Sequence, residues 1–119
     1  MMYKEAKEMN EQLLTWRRQI HHHPELGCRL PQTTALVEKA LDDMGISWEK
    51  IGPCAIVGVI GKKEGKKILL RADMDALPMG EETGLPFASE CDGVMHSCGH
   101  DCHTSMLLTA AALLKKHEE

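Results

Sequence analysis

Apolar residues at Met9, Leu13, Trp16 and Ile20 step by four, three and four, drawing one stripe along a helix of about 18 residues that starts near Tyr3. His23-Pro24 ends it, because the residue before proline is pushed out of the helical region. A second stripe, Leu36, Val37, Ala40, Leu41 and Met44, predicts a helix from Pro31 to Met44, with Pro31 suited to the first turn and Gly45 to the stop. Beyond Gly45 the period changes. The segments "ISWEKI", "AIVGVIG" and "KKILLRADM" are short, β-branched or apolar, and bounded by glycine, proline or lysine, so three strands are predicted. The connector Gly61–Lys66 between the second and third reads as a solvated hairpin turn.

From Asp73 to about Asp101 no period survives, and the chain carries Pro78, Gly80, Gly84, Pro86 and Gly93. A loop of this length inside a compact chain is usually functional or disordered. Regularity returns in "DCHTSMLLTAAALLKKHEE", an alanine- and leucine-rich helix whose lysines come late, as the helix dipole favours. Two helices, three short strands and a last helix give a chain of the α/β class.

Composition narrows the setting. The 119 residues fit one domain or a piece of one, and with four aromatics and eight methionines the core is mainly aliphatic and adaptable. The net charge of −4 shows no basic face, which argues against nucleic acid or an anionic membrane as partner. No apolar run approaches the roughly 20 residues that span a bilayer, and the polar opening "MMYKEAKEMNEQ" does not resemble a signal peptide, so a cytoplasmic location is expected. Five cysteines, an odd number, make free thiols or metal ligands a better reading than a disulfide framework.

The chemistry concentrates in "MHSCGHDCH", residues 95–103, where a long loop enters a helix. In an extended segment Cys98 and His100 would face one side and converge on one ion, Gly99 would let the backbone fold tightly, and the helix N-terminus would favour the thiolate. His96, Asp101, Cys102 and His103 strengthen a metal reading while leaving the ligand set ambiguous; a Cys/His nucleophile pair is the competing mechanism. In "LLRADMDALP", Asp73 and Asp75 leave an apolar strand two residues apart, where a carboxylate can bridge a cation or orient a ligating imidazole. The run His21-His22-His23 in "RRQIHHHPELG" reads as a cationic helix C-terminus, since consecutive helical residues point about 100° apart and cannot all bind one ion.

In this order and at these separations, "RRQIHHHPELG", "ILLRADMDALPMGEETGLPFAS" and "GVMHSCGHDCHTSMLLTAAALL" closely resemble the N-terminal part of the metal-dependent amidohydrolases, the family of aminoacylase-like enzymes, hippurate hydrolase, N-acetyldiaminopimelate deacetylase and the auxin-conjugate hydrolases. The resemblance covers nearly the whole chain. It implies an α/β fold, the N-terminal fragment of a zinc-peptidase-like catalytic domain with helices packed on a mixed sheet. It implies two divalent ions, zinc, manganese, cobalt or nickel, with Cys98 and His100 as ligands and Asp75 as the active-site carboxylate that orients a neighbouring group. The implied reaction is hydrolysis of the amide bond of small N-acyl amino acids, with a glutamate from a Glu-Glu pair as base. That pair, the later histidine ligands and the dimerisation domain are expected beyond these 119 residues, and the whole enzyme is expected to be a homo-oligomer. The alternative is a truncated, inactive chain that persists as a structural or interaction module.

Overall fold

The computed structural model describes residues 2–118. The first predicted helix is two, α1 (Met2–Glu8) and α2 (Asn10–His22). At the junction Met9 leaves helical geometry with ψ of 3°, yet its N–H reaches both Glu5 O and Ala6 O at 3.2 Å, and its own carbonyl accepts from Leu13 N at 3.0 Å. The shared bond carries the spiral through the break.

Helix α3 (Pro31–Asp43) has the predicted ends. Pro31 occupies the first turn, where a missing N–H costs nothing. At the other end Gly45, at φ 67°, donates to Asp42 O and Ile46 N donates to Leu41 O at 2.9 Å, the paired closure of a glycine-stopped helix. Its N-terminus is capped from a distance. The Glu25 carboxylate accepts from Thr33 N at 2.7 Å, Thr33 Oγ1 at 2.8 Å and Gln32 N at 3.1 Å, satisfying donors that no residue of the helix can reach.

Strands β1 (Ser47–Ile51) and β2 (Ala55–Val59) pair antiparallel, in register from Ser47 opposite Val59 to Ile51 opposite Ala55. The hairpin turn of this pair lies at residues 52–54, with Gly52 at φ 63°; the hairpin predicted at Gly61–Lys66 does not form, since among the described residues no strand follows it to pair. The third predicted strand is absent: among the described residues nothing pairs with the run before Asp73, and Ile68 and Leu69 are 87% and 84% exposed. Extended backbone becomes a strand only when a neighbour takes its N–H and C=O groups. The α/β class stands, but the sheet is one antiparallel pair. The sole parallel pairing among the described residues is the isolated bridge of Leu26 to Ala76.

The last helix, α4 (His100–Lys116), packs against α1, α2 and α3. Val37, Ala40 and Leu41 of α3, Ile46 and Leu108 of α4 form the buried cluster, with Trp16, Trp48, Ile56 and Met74 packed around it. Each such aliphatic side chain contributes about 1.5–3 kcal/mol by leaving water. Core and site thus share α4: Leu108 anchors its middle while residues 98–103 sit at its start. No helix among the described residues is long and apolar enough to cross a membrane.

Candidate active site

Gly99 precedes α4 at φ 93°, a left-handed conformation that glycine adopts without steric cost, so the chain turns sharply between Cys98 and His100. The pair is therefore not carried by an extended segment, as the spacing had implied. Cys98 lies on the loop with an exposed thiol, and His100 is the first residue of the helix.

His100 is held by Asp75. Its Nδ1 donates to the Asp75 carbonyl at 2.9 Å and lies 3.1 Å from Asp75 Oδ1. A ring whose Nδ1–H is occupied by a main-chain oxygen carries its lone pair on Nε2, which is the arrangement of an oriented metal-binding imidazole. Asp75 reaches this position because Ala76 is pinned on one side, its N–H bonding Glu25 O at 2.8 Å, while Leu77 pairs with Met95 on the other. Asp73 and Asp75 do not act together: Asp73 Oδ1 accepts from Arg71 at 2.7 Å and its carbonyl accepts from Thr104 Oγ1 at 2.9 Å. His103 is exposed on α4 with its ring 6.1 Å from that of His100, and Cys102 is half-buried on the same helix. All five cysteines are free thiols.

The donor set fits a transition metal in chemistry but not in number. Thiolate and imidazole are donor types that suit zinc, nickel or cobalt. Among the described residues, however, three donors able to meet on one ion occur only at His22, His23 and Glu90, and no such group includes Cys98 or His100.

Beneath the pair lies a buried charge network that the motifs did not foretell. His21, 3% exposed, places Nδ1 at 2.7 Å from Asp101 Oδ2 and Nε2 at 2.7 Å from Glu81 Oε1. Both ring nitrogens thus face carboxylate oxygens, and Arg17 Nη2 lies 3.5 Å from Nδ1. Arg17 Nε sits 2.9 Å from the same Asp101 oxygen, within ion-pair range though off the line of a hydrogen bond. Arg17 and His21 thus stand between two carboxylates. Phe87 closes the network, edge-on to the His21 ring at 5.8 Å and beneath the guanidinium of Arg17 at 5.0 Å. His21 is therefore no helix cap; it crosses from the end of α2 to the first turn of α4, next to His100.

His96 is also buried, and neither ring nitrogen has a partner. Burial pushes its pKa down, against the opposing pull of the Asp101 charge.

Glu81 supplies a pH prediction. Burial alone would raise its carboxyl, but hydrogen bonds from Thr83, from the Ser89 backbone and from His21 outweigh burial and hold it below the ordinary value of 4.5. A carboxylate lowered by folding contributes stability that is fully present above 4.5 and is lost as pH falls through the depressed folded-state value. In urea titrations at a series of pH values, the stability gap between the parent chain and Glu81→Gln is expected to be widest near neutrality and to shrink below pH 4.5. A gap independent of pH would show that the network does not hold Glu81 ionised.

Residues 69–119 match the sequence model of peptidase family M20/M25/M40. Over that segment the chain is similar to this family. It is 46% identical over 116 residues to N-acetyl-L-cysteine deacetylase of Bacillus subtilis (strain 168), covering 93% of this chain and 27% of that protein. It is 51% identical over 100 residues to the hippurate hydrolase of Campylobacter jejuni, covering 82% and 26% respectively. Its fold superimposes on a crystal structure of the B. subtilis YxeP protein, described as a dinuclear metal-binding peptidase of the M20 family, with a TM-score of 0.88 and 37% identity, covering 94% of this chain and 32% of that one. The chain spans less than a third of the length of each of these proteins.

Proposed function

We propose that this chain forms the first part of the catalytic domain of a metal-dependent amidohydrolase that cleaves the amide bond of N-acyl amino acids. The observation that carries the reading is the fixed His100 ring: Asp75 occupies Nδ1, Nε2 is left to ligate, and the exposed Cys98 thiol lies across one glycine. The names of the relatives, a deacetylase of N-acetyl-L-cysteine and a hippurate hydrolase, support the substrate class. Cys98 and His100 would hold divalent metal, two ions of zinc, manganese, cobalt or nickel in the complete site. Bound there, such ions polarise an amide carbonyl and lower the pKa of water.

The chain's own residues position this part of the site. Asp75 orients His100 through its main chain and its carboxylate. Gly99 brings Cys98 and His100 round the helix start, and the His21–Asp101–Glu81 network fixes that start against α2. The general base and the remaining ligands belong to the longer enzyme. On this reading the enzyme is a homo-oligomer in the cytoplasm, and the exposed Ile68 and Leu69 offer apolar surface that further chain or a second subunit would cover.

The test compares hydrolysis of N-acetyl- and N-benzoyl-amino acids by these 119 residues and by a chain extended through the next Glu-Glu pair, each with zinc, manganese, cobalt and nickel. The short chain is expected to show no turnover, since loss of a positioned base alone costs about 10²–10⁴-fold. The extended chain is expected to show metal-dependent turnover. An extended chain loaded with metal and inert toward every N-acyl amino acid would favour the inactive structural module instead.

A further inference from the structure

The consecutive histidines divide their work in a way their spacing disguised. His21 turns inward, whereas His22 and His23 meet Glu90 at the surface, because His23 leaves the helix at φ −117° and ψ 61° and its ring no longer follows the helical 100° step. The candidate donor atoms of His22, His23 and Glu90 all lie within 4.8 Å of one another. We propose that these three residues form a second, surface site for a divalent ion of the zinc type, separate from Cys98 and His100.

Three features distinguish this group from an ordinary exposed ion pair. His22 Nδ1 donates to the Ala88 carbonyl at 2.6 Å, which leaves the lone pair on Nε2, the nitrogen 3.7 Å from Glu90 Oε2. This is the same device that orients His100: a main-chain oxygen fixes the tautomer and aims the other nitrogen at the ion. Glu90 is tied to the helix end by its own backbone, its N–H bonding His22 O at 3.0 Å, so donors 67 residues apart in sequence are held on one short stretch of surface. The His22 and His23 rings stand edge to face at 4.6 Å, already gathered on the same side.

The donors select the ion. Two imidazoles and one carboxylate suit zinc, cobalt, nickel or copper, whereas magnesium and calcium prefer oxygen donors throughout. The ion would be held by His22 Nε2, His23 Nδ1 and a Glu90 oxygen, with solvent completing four positions. His23 Nδ1 now donates to Glu90, so binding the ion there moves the ring hydrogen to Nε2 by exchange with solvent, and the imidazole stays neutral. A bound ion would tie the end of α2 to the segment that leads to Cys98.

The site is tested in the chain carrying Cys98→Ser and His100→Ala, so that the result is independent of the amidohydrolase reading. Calorimetric titration with Zn²⁺ is expected to show one equivalent bound. Co²⁺ is expected to give visible ligand-field bands without the near-ultraviolet thiolate charge-transfer band that Cys98 would produce. Adding His22→Ala or Glu90→Gln is expected to lower zinc affinity at least about tenfold, the low end of what loss of an outer-shell partner costs a metal site. Mg²⁺ is expected not to saturate the site. Circular dichroism matching the parent separates ligand loss from unfolding. Absence of zinc binding in the Cys98→Ser, His100→Ala chain, or binding that His22→Ala and Glu90→Gln leave unchanged in a folded chain, overturns the proposal.

Discussion

Asp101→Ala is expected to lower the unfolding free energy by about 3 kcal/mol, near the lower end of the cost of removing one member of a buried ion pair. Asp101 is 1% exposed and receives both His21 Nδ1 at 2.7 Å and Arg17 at 2.9 Å. Removing it leaves the Arg17 charge and the His21 ring without their shared acceptor, with only Glu81 opposite them. The Arg17 side chain retains 25% exposure, so water can reach the stranded charge, which is why the lower end applies. The first turn of α4 also loses a negative group at the positive end of its dipole. With total stabilities of about 5–15 kcal/mol, this is a large share. Asp101→Asn keeps an acceptor for His21 and should cost less. Asp43→Ala, which breaks an exposed pair with Lys39, should be close to silent. Chemical denaturation of the three variants decides it: if Asp101→Ala matches Asp43→Ala, the network is not holding the helix start.

The second large effect belongs to the proposed metal ligands. In the longer, metal-loaded enzyme, Cys98→Ala and His100→Ala should each lower metal occupancy and, with it, amide hydrolysis, whereas Asp75→Asn should leave metal largely bound and depress turnover by about 10–100-fold. The geometry explains the difference. The His100 tautomer is fixed first by the Asp75 main-chain oxygen at 2.9 Å, which asparagine retains, and only second by the carboxylate at 3.1 Å, whose charge asparagine removes. Metal analysis alongside turnover separates the two roles. If Cys98→Ala and His100→Ala kept full metal and full rate while Cys102→Ala or His103→Ala lost them, the ligands would lie along the face of α4 instead of at its start.

Local physics was legible in the chain. Pro31 and Gly45 placed the ends of α3 because a proline's missing N–H and a glycine's left-handed φ act within a few residues. The α/β class followed from apolar periods that change at Gly45, and the candidate pair Cys98 and His100 was visible because both stand in one nonapeptide. The residues alone offered Asp73 and Asp75 alike for orienting an imidazole, and the choice of Asp75 came through the resemblance. Its bond to His100 spans 25 residues and depends on the bridges that Ala76 and Leu77 make to distant strands of chain.

What only the tertiary structure decided shares one cause: each feature needs partners far apart in sequence. The apolar run at Ile68 reads as a strand by composition, but pairing is supplied by neighbours and none is present among the described residues. Glu25 caps a helix that begins six residues later, outside the local capping positions. The three histidines look alike in a row, yet a buried carboxylate 80 residues away takes His21 and an exposed one 67 residues away takes His23. Side-chain identity set what each histidine could bind, and the backbone's departure from helical geometry at His23 set which of them share a partner.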